Sequence, residues 1–201
     1  MLRVETEVVV VDAHEPEPRE VERAARIVRE GGVVALPTDT VYGLVCDPGQ
    51  PAAVDLIYEV KQRGRDLPLA LLLHDMAQAS IYARDVPENA VLAMQQFWPG
   101  ALTVVVEGCR ETAGAVCAGQ EGIGLRLPAH VVPRLVAGAA GGALASTSAN
   151  RSGQPAARTA DEVVAQLGGL VPLVLDAGPS RLQAESTVVS FVGRPPRLLP
   201  G

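Results

Sequence analysis

Short apolar runs alternate along the chain with longer segments in which apolar residues recur every three or four positions. The runs predict β-strands and the longer segments predict helices, because these spacings place apolar side chains on one face of each element. The run at 67–73 is apolar on both faces, so we expect that strand to lie in the middle of a sheet. The predicted strands are 8–11, 33–36, 67–73, 102–106, 123–127, 143–145, 173–176 and 186–192. The predicted helices are 18–30, 52–61, 76–82, 87–97, 131–136 and 161–167.

Strands that alternate with helices predict one continuous α/β domain over residues 1–201, which neither an internal repeat nor a linker divides. Residues 107–122 show no periodicity and are expected to form a loop, and the small residues at 138–142 are expected to form a turn. Two polar clusters, at 38–40 and 146–150, follow predicted strands, where α/β proteins place ligand contacts. The first cluster is equally compatible with a turn closed by side-chain hydrogen bonds.

The composition is typical of a globular protein whose core is built from Val, Leu and Ala, since 48% of residues are hydrophobic but only 3% are aromatic. A formal net charge of −6 argues against a surface that binds nucleic acid throughout, so any RNA contact is expected to be local and weak. The chain shows neither a secretion signal nor the roughly 18 consecutive apolar residues of a membrane span, so a cytoplasmic protein without membrane contact is expected. Cys46, Cys109 and Cys117 are expected to be reduced thiols, and the absence of CxxC and HExxH spacing argues against a protein metal site.

Lys61 is the single lysine among the 17 lysine and arginine residues of the chain. A chain that otherwise uses arginine is expected to need a compact ammonium at this position, which a planar guanidinium does not replace. Arg63 and Arg65 follow closely, and three cations beside a glycine suit a polyanion such as a nucleoside triphosphate. The alternative is a solvated loop after a helix.

Phosphate-binding glycine loops of the GxxxxGK[ST] and GxGxxG types are not present, so a nucleotide would be held by other means. The chain also lacks the GxSxG elbow of serine hydrolases, which disfavours that chemistry. Cations and small hydroxyls from distant segments favour chemistry driven by positioning and by electrostatic stabilisation of phosphate charge. The candidate cations are Lys61, Arg63, Arg65, Arg126 and Arg197, and the candidate hydroxyls are Thr38, Ser146, Ser148 and Ser186.

Seven segments, taken in order, resemble the YrdC/YciO family. They are PTDTVYGL at 37–44, KQR at 61–63 with PL at 68–69, PGALT at 99–103, GLRLP at 124–128, STSAN at 146–150, STV at 186–188, and Arg197 with PG at 200–201. The resemblance implies a twisted mixed α/β sheet, flanked by helices, with a central cationic groove. It also implies a nucleotidyltransferase that makes L-threonylcarbamoyl-AMP from ATP, L-threonine and bicarbonate, releases pyrophosphate, and so begins the threonylcarbamoyladenosine modification of tRNA.

The same resemblance implies roles for individual residues. Lys61 and Arg63 match the family's Lys-x-Arg pair and are expected to contact the phosphates as catalytic residues. The implied ATP-binding residues are Lys61, Arg63, Arg65, Ser148, Asn150 and Arg197, and the implied threonine-binding residues are Thr38, Arg126, Ser146 and Ser186. Mg²⁺ is expected to be carried by the nucleotide. Gly64, Leu67 and Gly122 depart from the family's usual residues and are expected to change affinity more than reaction type.

Two other functions stay open on the sequence. A YciO-type or carbamoyl-transfer paralogue would use the same adenylating site with another acceptor. An RNA-binding module would bind RNA in a salt-dependent way without ATP turnover, although few aromatic side chains are available for base stacking. The synthase reading predicts ATP, L-threonine, bicarbonate and downstream tRNA threonylcarbamoyl transferase proteins as partners.

Overall fold

The computed structural model describes residues 4–108 and 114–200, and within them eleven strands form one twisted mixed sheet flanked by helices, as predicted. The strands are β1 (Glu7–Val10), β2 (Val34–Leu36), β3 (Gly43–Cys46), β4 (Ala70–Leu73), β5 (Ala83–Asp85), β6 (Leu102–Gly108), β7 (Gly122–Arg126), β8 (Ala143–Ser148), β9 (Leu173–Asp176), β10 (Thr187–Ser190) and β11 (Arg197–Leu199). The helices are α1 (Pro18–Arg29), α2 (Pro51–Lys61), a 3₁₀ turn at Met76–Gln78, α3 (Ala79–Tyr82), α4 (Glu88–Phe97), α5 (Val131–Ala140) and α6 (Ala160–Leu167).

The strands lie in the order β1-β9-β2-β3-β8-β4-β7-β6-β10-β11, and β5 pairs with β6 beside this path. The pairs β1/β9, β2/β9, β4/β7 and β6/β10 are parallel, and the other pairs along the sheet are antiparallel. β4 lies between β8 and β7, and its Leu71 is fully buried. This confirms the central position predicted from the apolar run.

Helices cover the two faces of the sheet unequally. α2, α4 and α6 contribute to a large core on one face, together with Leu71 of β4. α1 and α5 pack on the opposite face, over Leu72 and Leu144. Ala70 and Ser146 lie on that second face too, because each is two positions from one of these leucines on the same strand and such side chains point the same way. They line a cavity and are not covered by a helix.

Three strands have no counterpart among those predicted from the sequence, namely β3, β5 and β11. β3 follows the polar cluster at 38–40, so its apolar stretch is too short to stand out, and its partners β2 and β8 were needed to define it. β8 runs three residues past its predicted end at 145, because its last residues pair with β3. α5 continues to Ala140, so the turn predicted at 138–142 begins later.

The state of the cysteines and the length and hydrophobicity of the helices can be compared with what the sequence predicts. Cys46 and Cys117 are buried free thiols, and Cys109 lies outside the described residues. Burial raises the pKa of the Cys46 thiol to about 12, which suits a structural rather than a reactive cysteine. Among the residues described, no helix combines the length and the apolar character needed to cross a membrane.

Leu71→Ala is expected to lower the free energy of unfolding by about 2–5 kcal/mol, because a fully buried side chain on the central strand is replaced by a cavity. Leu92→Ala removes the same atoms from a side chain that is 59% exposed on α4. That control should change the free energy by less than about 0.5 kcal/mol. Urea unfolding measures both values, and equal losses would contradict the central placement of β4.

Candidate functional site

A cavity of about 570 Å³ opens on the face of the sheet that carries α1 and α5. Its floor includes residues that are neighbours across four strands: Ser146 on β8, Ala70 on β4, Gly124 on β7 and Val105 on β6. A Cβ atom on Gly124 would lie 3.3 Å from Thr103 Cγ2 and 3.4 Å from Ala70 Cβ, so the floor is closely packed beneath the open space. Small side chains in this row leave room for a ligand above the sheet.

Thr38 and Thr40 follow β2 and both line the cavity. Thr38 Oγ1 donates to the Val41 carbonyl at 2.6 Å and accepts from the Thr40 backbone N–H at 3.1 Å. Because the Thr38 proton goes to Val41, the Thr40 hydroxyl donates to Thr38 Oγ1 across 2.9 Å. The cluster at 38–40 is therefore a turn closed by side-chain hydrogen bonds and also part of the cavity wall.

Arg126 forms a buried ion pair with Asp39 at one side of the cavity. Its Nη2 lies 2.6 Å from Asp39 Oδ1, its Nη1 donates to Thr40 Oγ1 at 2.8 Å, and its Nε donates to the Gly100 carbonyl at 2.9 Å. Burial lowers the pKa of Arg126, and the Asp39 carboxylate opposes that shift. Three of the five guanidinium N–H groups are thus used within the described chain, which leaves two for a ligand.

Asp39, the buried partner of Arg126, is a residue that the sequence analysis did not select. Its Oδ1 also accepts from the Ala129 backbone N–H at 3.2 Å, while its Oδ2 has no hydrogen-bond partner among the described residues. The available signal was its position between two threonines at the end of a strand. Since the carboxylate neutralises Arg126, this side of the cavity offers directed N–H groups with little net charge.

Lys61 occupies the end of α2 and is only 1% exposed. Its Nζ donates to the carbonyl oxygens of Ser148 and Asn150, the second at 2.7 Å, and to Asn150 Oδ1 at 3.0 Å. Burial, reinforced by Arg63, lowers the pKa of Lys61 to about 7, whereas the three oxygen acceptors favour the charged form. This geometry leaves Lys61 no N–H group for the expected contact with phosphate, because all three are bound to protein oxygens. The residue also does not line the cavity.

Arg63 does line the cavity. Gln62 ends α2 in the left-handed region with φ of 54°, so the chain turns between the two cations. Arg63 Nη2 donates to the Pro68 carbonyl at 3.2 Å, and its Nε is buried without a hydrogen-bond partner in the described chain. Burial lowers the pKa of Arg63, and the nearby Glu185 carboxylate opposes that shift. Arg63 therefore has unused donors beside an open cavity.

The cavity brings together some of the candidate residues and leaves others outside. Thr38, Arg63, Arg126, Ser146, Ser148 and Ser186 line it, as do the atypical residues Leu67 and Gly122. Lys61, Arg65, Asn150 and Arg197 do not line it. Arg65 is an exposed residue paired with Asp55, and Arg197 is exposed at the start of β11.

Thr103 and Glu185 line the cavity but were not among the candidates. Thr103 Oγ1 lies 2.9 Å from Ser186 Oγ, so the two hydroxyls form one polar patch between β6 and the start of β10. Both residues stand within or next to segments that carried the family resemblance, and this was the available signal. Among the described residues, no group of three or more His, Cys, Asp or Glu side chains is placed to hold a metal ion.

Comparison with protein families and curated proteins gives several matches. The Sua5/YciO/YrdC family model, described as Telomere recombination, matches residues 26–200. A threonylcarbamoyl-AMP synthase of Pyrococcus abyssi (strain GE5 / Orsay) is 35% identical over 176 residues, which cover 88% of this chain and 52% of the relative. One from Alkalilimnicola ehrlichii is 40% identical over 169 residues, which cover 83% of this chain and 87% of the relative. The chain thus spans about half the length of the Pyrococcus relative.

Solved structures with the same architecture were also found. P. abyssi Sua5 complexed with L-threonine has a TM-score of 0.92 at 33% identity, and the match covers 96% of this chain and 56% of that chain. E. coli YciO has a TM-score of 0.87 at 25% identity, with 96% of this chain and 94% of that chain covered.

Asp39→Asn is expected to lower the free energy of unfolding by about 3–5 kcal/mol, because Arg126 would then be a buried cation without a counter-charge. Asp55→Asn, which breaks the exposed pair with Arg65, is the matched control and should cost less than about 1 kcal/mol. Chemical denaturation near neutral pH measures both. Similar small losses would mean that Arg126 is reached by water and does not depend on Asp39.

Proposed function

Because the chain belongs to the Sua5/YciO/YrdC family, we propose that it synthesises L-threonylcarbamoyl-AMP from ATP, L-threonine and bicarbonate, with release of pyrophosphate. The threonylcarbamoyl-AMP synthases among its relatives and the threonine complex of P. abyssi Sua5 support this proposal. The product would supply the tRNA modification that adds threonylcarbamoyl to adenosine, through downstream transferase proteins.

One observation carries the proposal: a single cavity presents two arginines with unused donors, Arg63 and Arg126, at its wall. Arg63 is suited to the phosphate chain of ATP, since its side chain faces the cavity and forms no salt bridge with a carboxylate of the described residues. Arg126 is suited to the α-carboxylate of threonine, since its two remaining N–H groups are held in place by Asp39 and Thr40. Hydroxyls of Thr38, Ser146 and Ser186 lie in the same cavity and would orient the amino acid.

The attack on phosphorus requires no side-chain base, and the proton that the threonine ammonium loses before it forms the carbamate goes to solvent. Threonine's amine and bicarbonate combine to a carbamate and water, and an oxygen of the carbamate then attacks the α-phosphorus of ATP. The bond from the α-phosphorus to the bridging oxygen breaks, and pyrophosphate leaves with the electron pair. A carbamate is already anionic, so what it needs is neutralisation of the charge between nucleophile and phosphate, which Arg63 and the Ser148 hydroxyl would assist.

Mg²⁺ bound to the nucleotide would supply further neutralisation of the phosphate charge. Magnesium in such sites is usually held by one or two carboxylates together with phosphate oxygens. Among the described residues that line the cavity, Glu185 alone carries a carboxylate. Glu185 therefore fits as the protein's contribution to a nucleotide-bound Mg²⁺. Arg65 and Arg197 would contact ATP at most from outside the lining, and we assign them no part in the reaction centre.

A YciO-type paralogue with another acceptor is the second candidate, favoured by the likeness to E. coli YciO over nearly the full length of both chains. The two candidates differ in the acceptor and not in the adenylating site. Pyrophosphate release should require both threonine and bicarbonate if the first is right. Pyrophosphate release that is indifferent to threonine but depends on another amine or on carbamoyl phosphate would favour the second candidate. Affinity for RNA without any pyrophosphate release would favour the RNA-binding module.

Arg63→Ala is expected to reduce turnover by about 10²–10³-fold, the scale for loss of one donor that stabilises charge in the transition state. Arg19→Ala on α1 removes an exposed arginine that does not line the cavity and should leave turnover within about twofold. Pyrophosphate release with saturating threonine and bicarbonate measures both. Near-normal release by the Arg63 variant would place the phosphates elsewhere.

A further inference from the structure

The side chain of Lys61 ends behind the cavity wall and not in the cavity. The residue is 1% exposed and does not line the cavity, whereas Arg63, two positions later, does. The left-handed conformation of Gln62 separates them at the end of α2. The two cations of the Lys-x-Arg motif are therefore directed to different surroundings.

Lys61 holds the end of β8 and the turn after it with four hydrogen bonds. Its ammonium donates to the Ser148 and Asn150 carbonyls and to Asn150 Oδ1. Its own carbonyl accepts from the Ser152 backbone N–H at 2.9 Å. Both the side chain and the backbone of one residue thus fix the segment 148–152.

Asn150 completes this arrangement from within the turn. Its Oδ1 accepts from Lys61, and its Nδ2 donates to the Arg151 carbonyl at 3.0 Å and to the Gln154 carbonyl at 2.6 Å. The amide is used at both ends, and the residue does not line the cavity. Ser148, two positions earlier, does line it. The inner residue of each motif is bound to the other motif, and the outer residue faces the cavity.

We propose that Lys61 is a positioning residue: together with Asn150 it fixes the cavity wall at Ser148 and does not itself touch the nucleotide. This rests on the cavity being the nucleotide site proposed above. Carbonyl oxygens that converge in the interior need donors, and an ammonium is the one side-chain group that offers three from a single atom. A guanidinium spreads its donors over a planar fork, which explains why a chain rich in arginine uses lysine here.

Lys61→Met and Arg63→Met separate positioning from contact. Backbone hydrogen exchange of Ala149, Arg151, Ser152 and Gln154, without nucleotide, reports on the segment that Lys61 holds. Lys61→Met should raise exchange at these amides by at least about tenfold and lower kcat by about 10²-fold, since small misplacement of a wall residue costs that much. Its dissociation constant for α,β-methylene-ATP should stay within about threefold of wild type. Arg63→Met should leave the exchange unchanged and raise that dissociation constant more than about tenfold.

The reverse pattern overturns the proposal: Lys61→Met would lose affinity for the analogue as Arg63→Met does, with exchange at 149–154 unchanged. Asn150→Ala decides the matter should Lys61→Met not fold, because it keeps the lysine and removes one of its acceptors. We expect faster exchange and unchanged analogue affinity for this variant, and the opposite result again overturns the proposal. Failure of the wild-type protein to bind the analogue would refute the proposed function, while the exchange data would still show whether Lys61 holds this segment.

Discussion

This sheet carries apolar side chains on both faces and must be covered on both. The place where its helical cover ends determines where this chain can hold a ligand. Under α1 and α5 the strands carry Leu144 and Leu72, and Leu72 also reaches the edge of the cavity. Two positions along the same strands, on the same face, stand Ala70 and Ser146, which line the cavity. Large apolar side chains at those positions would fill the space or face water, so the strands change from large apolar to small or polar residues within two positions. The floor of the cavity follows from this change, and connecting segments that include Arg63 and Glu185 complete its wall.

Burial of charge imposes the second constraint, because a cation taken out of water needs either a counter-charge or a full set of acceptors. Arg126 has Asp39, and Lys61 has three oxygen acceptors. Arg63 has one carbonyl and a buried Nε without a partner in the described chain. The three cations differ in how many N–H groups these partners leave over within the described chain: Lys61 has none, whereas Arg126 and Arg63 keep donors that a ligand could use. A count of basic residues does not make that distinction.

Much of the fold could be predicted from local pattern, because the apolar run of β4 and the periodic apolar positions of the helices indicate by themselves which side chains are buried. β3 did not, since it becomes a strand through pairing with β2 and β8. The sequence predicted which segments form the site, but not the directions in which their side chains point. The unique lysine marked Lys61 correctly as unusual, yet its orientation depends on the backbone of Gln62 and on carbonyls up to 89 residues away. Asp39 was hidden for a related reason, since its importance comes from Arg126, on another strand.

The two short motifs, Lys-x-Arg and Ser-x-Asn, are best understood as one unit with an inner and an outer layer. The chain changes direction within two residues at the end of α2 and at the end of β8. Side chains at positions i and i+2 there need not face the same surface. At the end of α2 the first residue, Lys61, is the inner one, whereas at the end of β8 the second, Asn150, is inner. The inner residues meet each other, and the outer ones, Arg63 and Ser148, face the cavity. Motif spacing alone would direct all four to the cavity, but the geometry directs two of them to the cavity and two to the interior behind its wall.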